Sequence, residues 1–149
     1  MKKLKIVVMM MFVTLLMTGC GSNDTSIVFD VETGDKIKVT LDESDNYQLI
    51  DDIPFVVSQD DEELSKGTFM NENGYNQYKE LVENNEDVNI LDEESNSNIE
   101  YIFFEYESYT TEYNYIIMIK DSNTGIVLKN TVSQDSAEEV FSRLSFARD

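Results

Sequence analysis

The chain has 149 residues, with 11 Lys and Arg against 30 Asp and Glu, one cysteine, no histidine and no tryptophan, for a net charge of −19. So acidic a surface repels phosphate backbones, which bind through lysines and arginines that displace counterions, and nucleic acid is excluded as a partner. Without histidine or a second cysteine, Ser-His and Cys-His nucleophilic pairs and most zinc or copper sites are excluded as well. Serine or threonine activated by lysine stays open, with no recognisable motif pairing them, and Gly67 and Gly74 are isolated rather than part of a phosphate cradle. The chain is therefore expected to be no enzyme, with no catalytic residue assigned.

At the start of the chain, Lys2, Lys3 and Lys5 precede an apolar run from Ile6 to Met17, broken by Thr14 alone and closed by Met17-Thr18-Gly19-Cys20. This is the pattern of an export signal. The run of twelve residues is shorter than the roughly 20 that cross a bilayer as a helix. These residues resemble the signal and lipobox of bacterial lipoproteins: Gly19-Cys20 matches the two most constrained positions, Thr18 is a tolerated neighbour, and Met17 stands where the family usually has Leu. The resemblance implies cleavage after a signal peptide of residues 1–19, acylation of the Cys20 sulfur with palmitate-type chains, and a mature protein anchored at the extracytoplasmic face of the cell membrane. Three lysines and no acid leave with the signal, so 8 cations face 30 acids and the mature charge is −22. With Cys20 acylated no thiol remains for a disulfide, and packing alone must hold the fold. The charge repels anionic lipid heads, keeps the protein monomeric, and gathers cationic peptides, basic protein patches or divalent metals. Ala137 and Ala147 are the only alanines, beside abundant Asn, Asp, Glu, Ile, Lys and Tyr. That usage, with Gly21-Ser22 after the cysteine, points to an AT-rich, Gram-positive source.

Residues 20–26 read as a polar flexible tether, and residues 27–149 as a single α+β domain, an antiparallel β-sheet with a mid-chain helix and a C-terminal helix packed on it. Ile27-Val28-Phe29 with Val31, a turn at Gly34, and the alternation from Lys36 to Leu41 predict a hairpin over 27–41 with Ile37, Val39 and Leu41 inward. Tyr47 to Val57 is a second apolar region, interrupted by Asp51-Asp52 and the sole proline, Pro54, which predicts an edge or bent strand. Ser58 to Lys66 reads as an acidic loop, and Gly67 to Met70 as a short strand. After a turn at Asn71-Glu72-Asn73-Gly74, the spacing of Tyr75, Tyr78, Leu81 and Val82 predicts a short amphipathic helix ended by Asn84-Asn85. Val88 with Ile90-Leu91 predicts a brief strand before a polar loop over Asp92 to Asn98.

Tyr101 to Tyr106 and Tyr113 to Ile119 are β-rich with apolar residues at successive positions, which predicts central strands covered on both faces. A turn over Asp121 to Gly125 and a third strand from Ile126 complete a meander. Ser136 and Glu139 have capping-box spacing, and Ala137, Val140, Phe141 and Leu144 form one apolar helix face. This end, through Ser145-Phe146, resembles the closing strands and helix of PsbP/Mog1-like domains. The resemblance implies an antiparallel sheet with helices on it and carries over no catalytic residue.

Two groups stand out as candidate sites. Tyr109, Thr110 and Thr111 sit at the tip between the two central strands, where tyrosine offers an apolar body with a polar tip to a partner. Asp60, Asp61, Glu62 and Glu63 could hold a hard cation such as Ca2+ weakly, with no other cofactor expected. The sequence predicts a membrane-anchored, non-catalytic module binding a protein or cationic peptide with a basic surface, in an envelope-accessory or immunity-type role. The alternative is a lipoprotein binding a small ligand or divalent metal.

Overall fold

The computed structural model describes residues 23–149. The expected signal peptide, the lipidation site at Cys20 and the first residues of the expected tether lie outside them. In chain order the strands and helices are β1 (Asp24–Asp30), β2 (Lys36–Asp42), β3 (Tyr47–Ile50), β4 (Phe55–Gln59), β5 (Glu62–Asn71), α1 (Glu72–Asn84), β6 (Val88–Ser95), β7 (Ile99–Glu107), β8 (Thr111–Ile119), β9 (Thr124–Asn130), α2 (Gln134–Arg143) and β10 (Leu144–Arg148). The class is α+β as expected, dominated by antiparallel strands, with one helix mid-chain and one near the C-terminus. The strands divide into two sheets rather than one: β1-β2-β10, and β3-β4-β5-β9-β8-β7-β6.

The larger sheet is the middle layer, and period-two alternation explains why. On β7, Phe103 points to one side, where it meets Tyr115, Ile117, Ile126 and Leu128, the inward residues of the small sheet and Ala137 and Val140 of α2. Ile102 and Phe104 point to the other side, beneath Tyr75 and Val82 of α1. The central strands are thus covered on both faces. In the β1–β2 hairpin Ile37, Val39 and Leu41 are fully buried, and Gly34 takes a left-handed φ of 87° in the turn. Gly67 is the other position where only glycine fits. A Cβ there would lie 2.0 Å from the Phe55 ring, which rests directly on the β5 backbone.

Local chemistry redraws several predicted boundaries. The tether is shorter than expected, because the Glu43 N–H donates to the Asn23 carbonyl at 2.9 Å and β1 already pairs at Asp24 with Asp42. Tyr47 to Val57 is two strands of a hairpin, with Pro54 in the connection rather than in a strand. The acidic stretch from Ser58 is no loop: Asp60 and Asp61, with φ of 51° and 66°, make a two-residue turn into β5. Positive φ at both positions matches the twist of a hairpin, and aspartate tolerates it. Asn71 to Gly74 is not a free turn either. Asn71 caps α1, its side-chain oxygen accepting from the Gly74 N–H at 2.8 Å, and Leu81 of that helix remains exposed. Asp92 to Ser95 continue β6 past a bulge at Leu91, as charges commonly do on an edge strand. The cap of α2 is Ser133, whose Oγ accepts from the Ser136 N–H at 3.0 Å, while Glu139 reaches forward to Arg143 at 2.8 Å. The helix stops at Arg143, and Leu144–Arg148 leave it as a strand against β2, with Phe146 buried.

Candidate functional site, a cleft where one strand outruns its neighbour

Proline sets the position of the cleft. Pro54 has no N–H to give a ladder, and β4 begins just after it, with Phe55 opposite Gly67. β5 runs on for four residues, Thr68–Asn71, paired with β9 on one side and with no strand of the described residues on the other. Beside that open edge lies a cleft of about 400 Å3, walled by β5 residues 68–71, by Ile53 and Pro54, and by residues 30–33 at the end of β1. Its one aromatic lining residue, Phe69, belongs to a buried cluster in which the rings of Phe29, Phe55 and Phe69 have centroids 5.7, 5.3 and 5.6 Å apart. Val31, Phe69, Met70 and Pro54 make the walls apolar, and Ile53 stands at the mouth with 64% of its surface exposed.

The turn that forms one wall is fixed by a buried carboxylate. Asp35 accepts the Asn123 N–H at 2.7 Å and the Thr124 hydroxyl at 2.9 Å, and Arg148 Nε lies 3.5 Å away. Thr33, on the wall, shares a hydrogen bond of 2.6 Å with the Thr124 hydroxyl. The Asn123 N–H, then the Thr124 hydroxyl and the Arg148 charge, hold the Asp35 carboxyl below the usual aspartate range against the opposing cost of its burial. The β1–β2 turn is thereby clamped to the β8–β9 turn across the two sheets.

The charge at the cleft has one sign. Asp30 and Glu32 line it, no lysine or arginine does, and Asp51-Asp52 precede Ile53 in the same connection. Lys36 reaches Asp30 at 3.4 Å, both ends being solvent-exposed. Seven of the eight cations of the described residues are occupied, Lys38 being the exception. Of the eight in the described residues, Lys36, Lys66, Lys79, Lys129, Arg143 and Arg148 meet carboxylates, and Lys120 bonds Ser95 and the Asn96 carbonyl. Arg143 alone contacts Asp42, Asp45 and Glu139 and lies 4.2 Å over the Tyr47 ring. Only eight of the thirty acids take part, which leaves 22 without a cation partner among the described residues. The groups the cleft presents are carboxylates, hydroxyls, an amide and apolar walls. They can neutralise a cation, accept hydrogen bonds and bury an apolar side chain.

The residues singled out from sequence lie elsewhere. Tyr109 is fully exposed at the β7–β8 tip, with Thr110 exposed and Thr111 half-buried. The ladder Met70–Gly125–Met118 lies beside the cleft, whereas Ser65–Asn130–Tyr113 leads away from it, so the tip is at the opposite end of the sheet. Asp60 to Glu63 are at that end too and do not converge. Asp60 accepts from Asn46 at 2.8 Å, Glu63 pairs with Lys66 at 3.1 Å, and Glu62 and Glu63, successive on a strand, point to opposite faces. Among the described residues no group of three or more acids is placed to hold a metal. The cleft itself was missed because its walls come from three distant segments. Its local signal was Pro54 beside an exposed-type Ile53. No protein-family model matches this chain, and no curated protein matches it either.

Proposed function

We propose that the protein is a lipid-anchored, extracytoplasmic binding module whose partner is a protein or peptide with a basic surface. The observation that supports this is the disposition of charge: six of the eight cations of the described residues are tied into internal ion pairs, and most acids are left free to act on a partner. Such a field raises the local concentration of cationic segments and speeds their encounter. The anchor rests on the lipobox-like residues ending at Cys20, and both the envelope-accessory and the immunity-type roles fit it. The test is binding of polylysine to the full chain at low and high salt. Tight binding at low salt that is lost near 1 M, where the Debye length falls to about 3 Å, is expected. Absence of binding at low salt overturns the reading. Metabolic labelling with palmitate, lost on Cys20→Ser, tests the anchor.

A second reading, a small-ligand-binding lipoprotein, is favoured by the size of the cleft, since about 400 Å3 lies within the roughly 300–1,000 Å3 of small-molecule sites. A ligand there would raise stability by about 2.7 kcal/mol at a hundredfold excess over its Kd, which a thermal-shift screen detects.

A further inference from the structure

We propose that an extended, basic peptide segment is bound by strand addition, pairing with the open edge of β5 at Thr68–Asn71 and placing an apolar side chain in the cleft. The inference rests on the basic-partner reading above and adds the place and the mode. Strand addition needs an edge with free backbone groups, and β5 supplies one for four residues beyond Gly67. The longest other exposed edge of the large sheet is defended: β6 carries Asp92, Glu93 and Glu94 and a bulge. Charges, bulges and short strands are the usual protection against unwanted pairing. The Thr-Phe-Met-Asn run of β5 has neither charge, proline nor bulge, and all four residues tolerate extended backbone.

The side chains beside that edge select the occupant. A strand laid there would turn alternate residues into the cleft, toward Val31, Phe69 and the exposed Ile53. Its intervening residues would pass Glu32 and Asp51-Asp52, besides Asp30, which Lys36 already meets, with no lysine or arginine in the lining. A segment alternating apolar and cationic residues satisfies both. A second copy of this chain does not, because two molecules each of charge −22 repel.

The test uses an octapeptide alternating Lys and Val, together with two versions of the same charge, N-methylated at every lysine or at every valine. In a strand, successive N–H groups point to opposite sides, so one version removes every hydrogen facing β5 and the other removes none. Binding to the full chain should protect from hydrogen exchange the alternate amides within residues 68–71 that face the open edge rather than β9. One methylated peptide should bind roughly tenfold or more weakly, the loss of about two net hydrogen bonds, and the other should bind like the parent. Ile53→Ser, at a solvent-exposed position, should weaken the parent peptide severalfold without altering the fold. Equal binding of all three peptides, with no protection at 68–71, overturns strand addition and leaves the basic-partner reading standing. Failure of the peptides and of polylysine alike overturns both.

Discussion

Gly67 and Phe55 should behave as a single unit, and a double-mutant cycle measures how strongly. Phe55 is fully buried, and an alanine Cβ at position 67 would meet its Cζ at 2.0 Å, where contacting carbons need about 3.5–4.0 Å. The ring cannot retreat freely, since Phe29 and Phe69 hold it with centroids 5.7 and 5.6 Å away. Gly67→Ala should therefore cost about 1–3 kcal/mol as overpacking, and Phe55→Ala about 3–5 kcal/mol. With the ring gone the clash disappears, and Gly67→Ala in the Phe55→Ala background should gain about 0.5–1 kcal/mol from the intrinsic penalty of glycine in a strand. The coupling between the two sites is then about 1.5–4 kcal/mol. Urea unfolding of the four proteins reads it directly. An equal cost of Gly67→Ala in both backgrounds would refute the argument that the ring's seat on the backbone fixes this glycine.

Asp35→Asn tests the clamp: the folded carboxyl titrates below its unfolded value, so its stabilisation is complete above the unfolded pKa and lost as pH falls through the folded one. The Tm deficit of the variant should be largest near neutrality and shrink from about pH 4 downward, and a deficit constant across that range contradicts the clamp. Arg143→Ala should cost about 2 kcal/mol, because the guanidinium bonds Ser44 and Asp45 while stacked on Tyr47; Arg143→Lys should not restore the Tm, lacking the planar fork. The pair Phe141→Ala and Leu144→Ala removes a ring stacked 4.0 Å from Tyr115 and should cost several kcal/mol, given about 2–5 for each fully buried change. An unchanged urea midpoint there would contradict the docking of α2.

Where the period of the sequence is strict, it predicts the element and its buried face. The alternation through Ile37, Val39 and Leu41 and the doubly apolar β7 are both of this kind. Boundaries fail where two residue preferences compete. Asp60-Asp61 was an acidic loop by composition, yet aspartate's tolerance of positive φ makes it a tight turn. Leu144 continues a helical stripe in the sequence, yet the free side of β2 recruits it, with Phe146, as a strand. Pro54 signalled an interruption without saying which neighbour would outrun it, because that depends on the register of Phe55 with Gly67, a contact no local pattern encodes. The same holds for the cleft: residues 30–33, 53–54 and 68–71 carry little chemistry apart and become a site only when the fold brings them side by side, with Asp35 fixing the first of these walls to the β8–β9 turn.

With the proposed anchor at Cys20, the acid excess would have two separate uses. Because Asn23 is already bonded to Glu43, a lipid on Cys20, as proposed, would hold the fold within roughly 11 Å of chain. The end of the domain nearest that anchor contains Asp24, Asp42, Asp45, Asp60 and Asp61, joined by the Asn46–Asp60 contact. Facing anionic head groups, it would be pushed off rather than drawn down. β1 then runs about 20 Å from Asp24 at that end to Asp30 at the cleft. On the proposed anchoring, acids at the near end would keep the domain upright, and acids at the far end would present an apolar, open-edged cleft to a cationic chain approaching from outside.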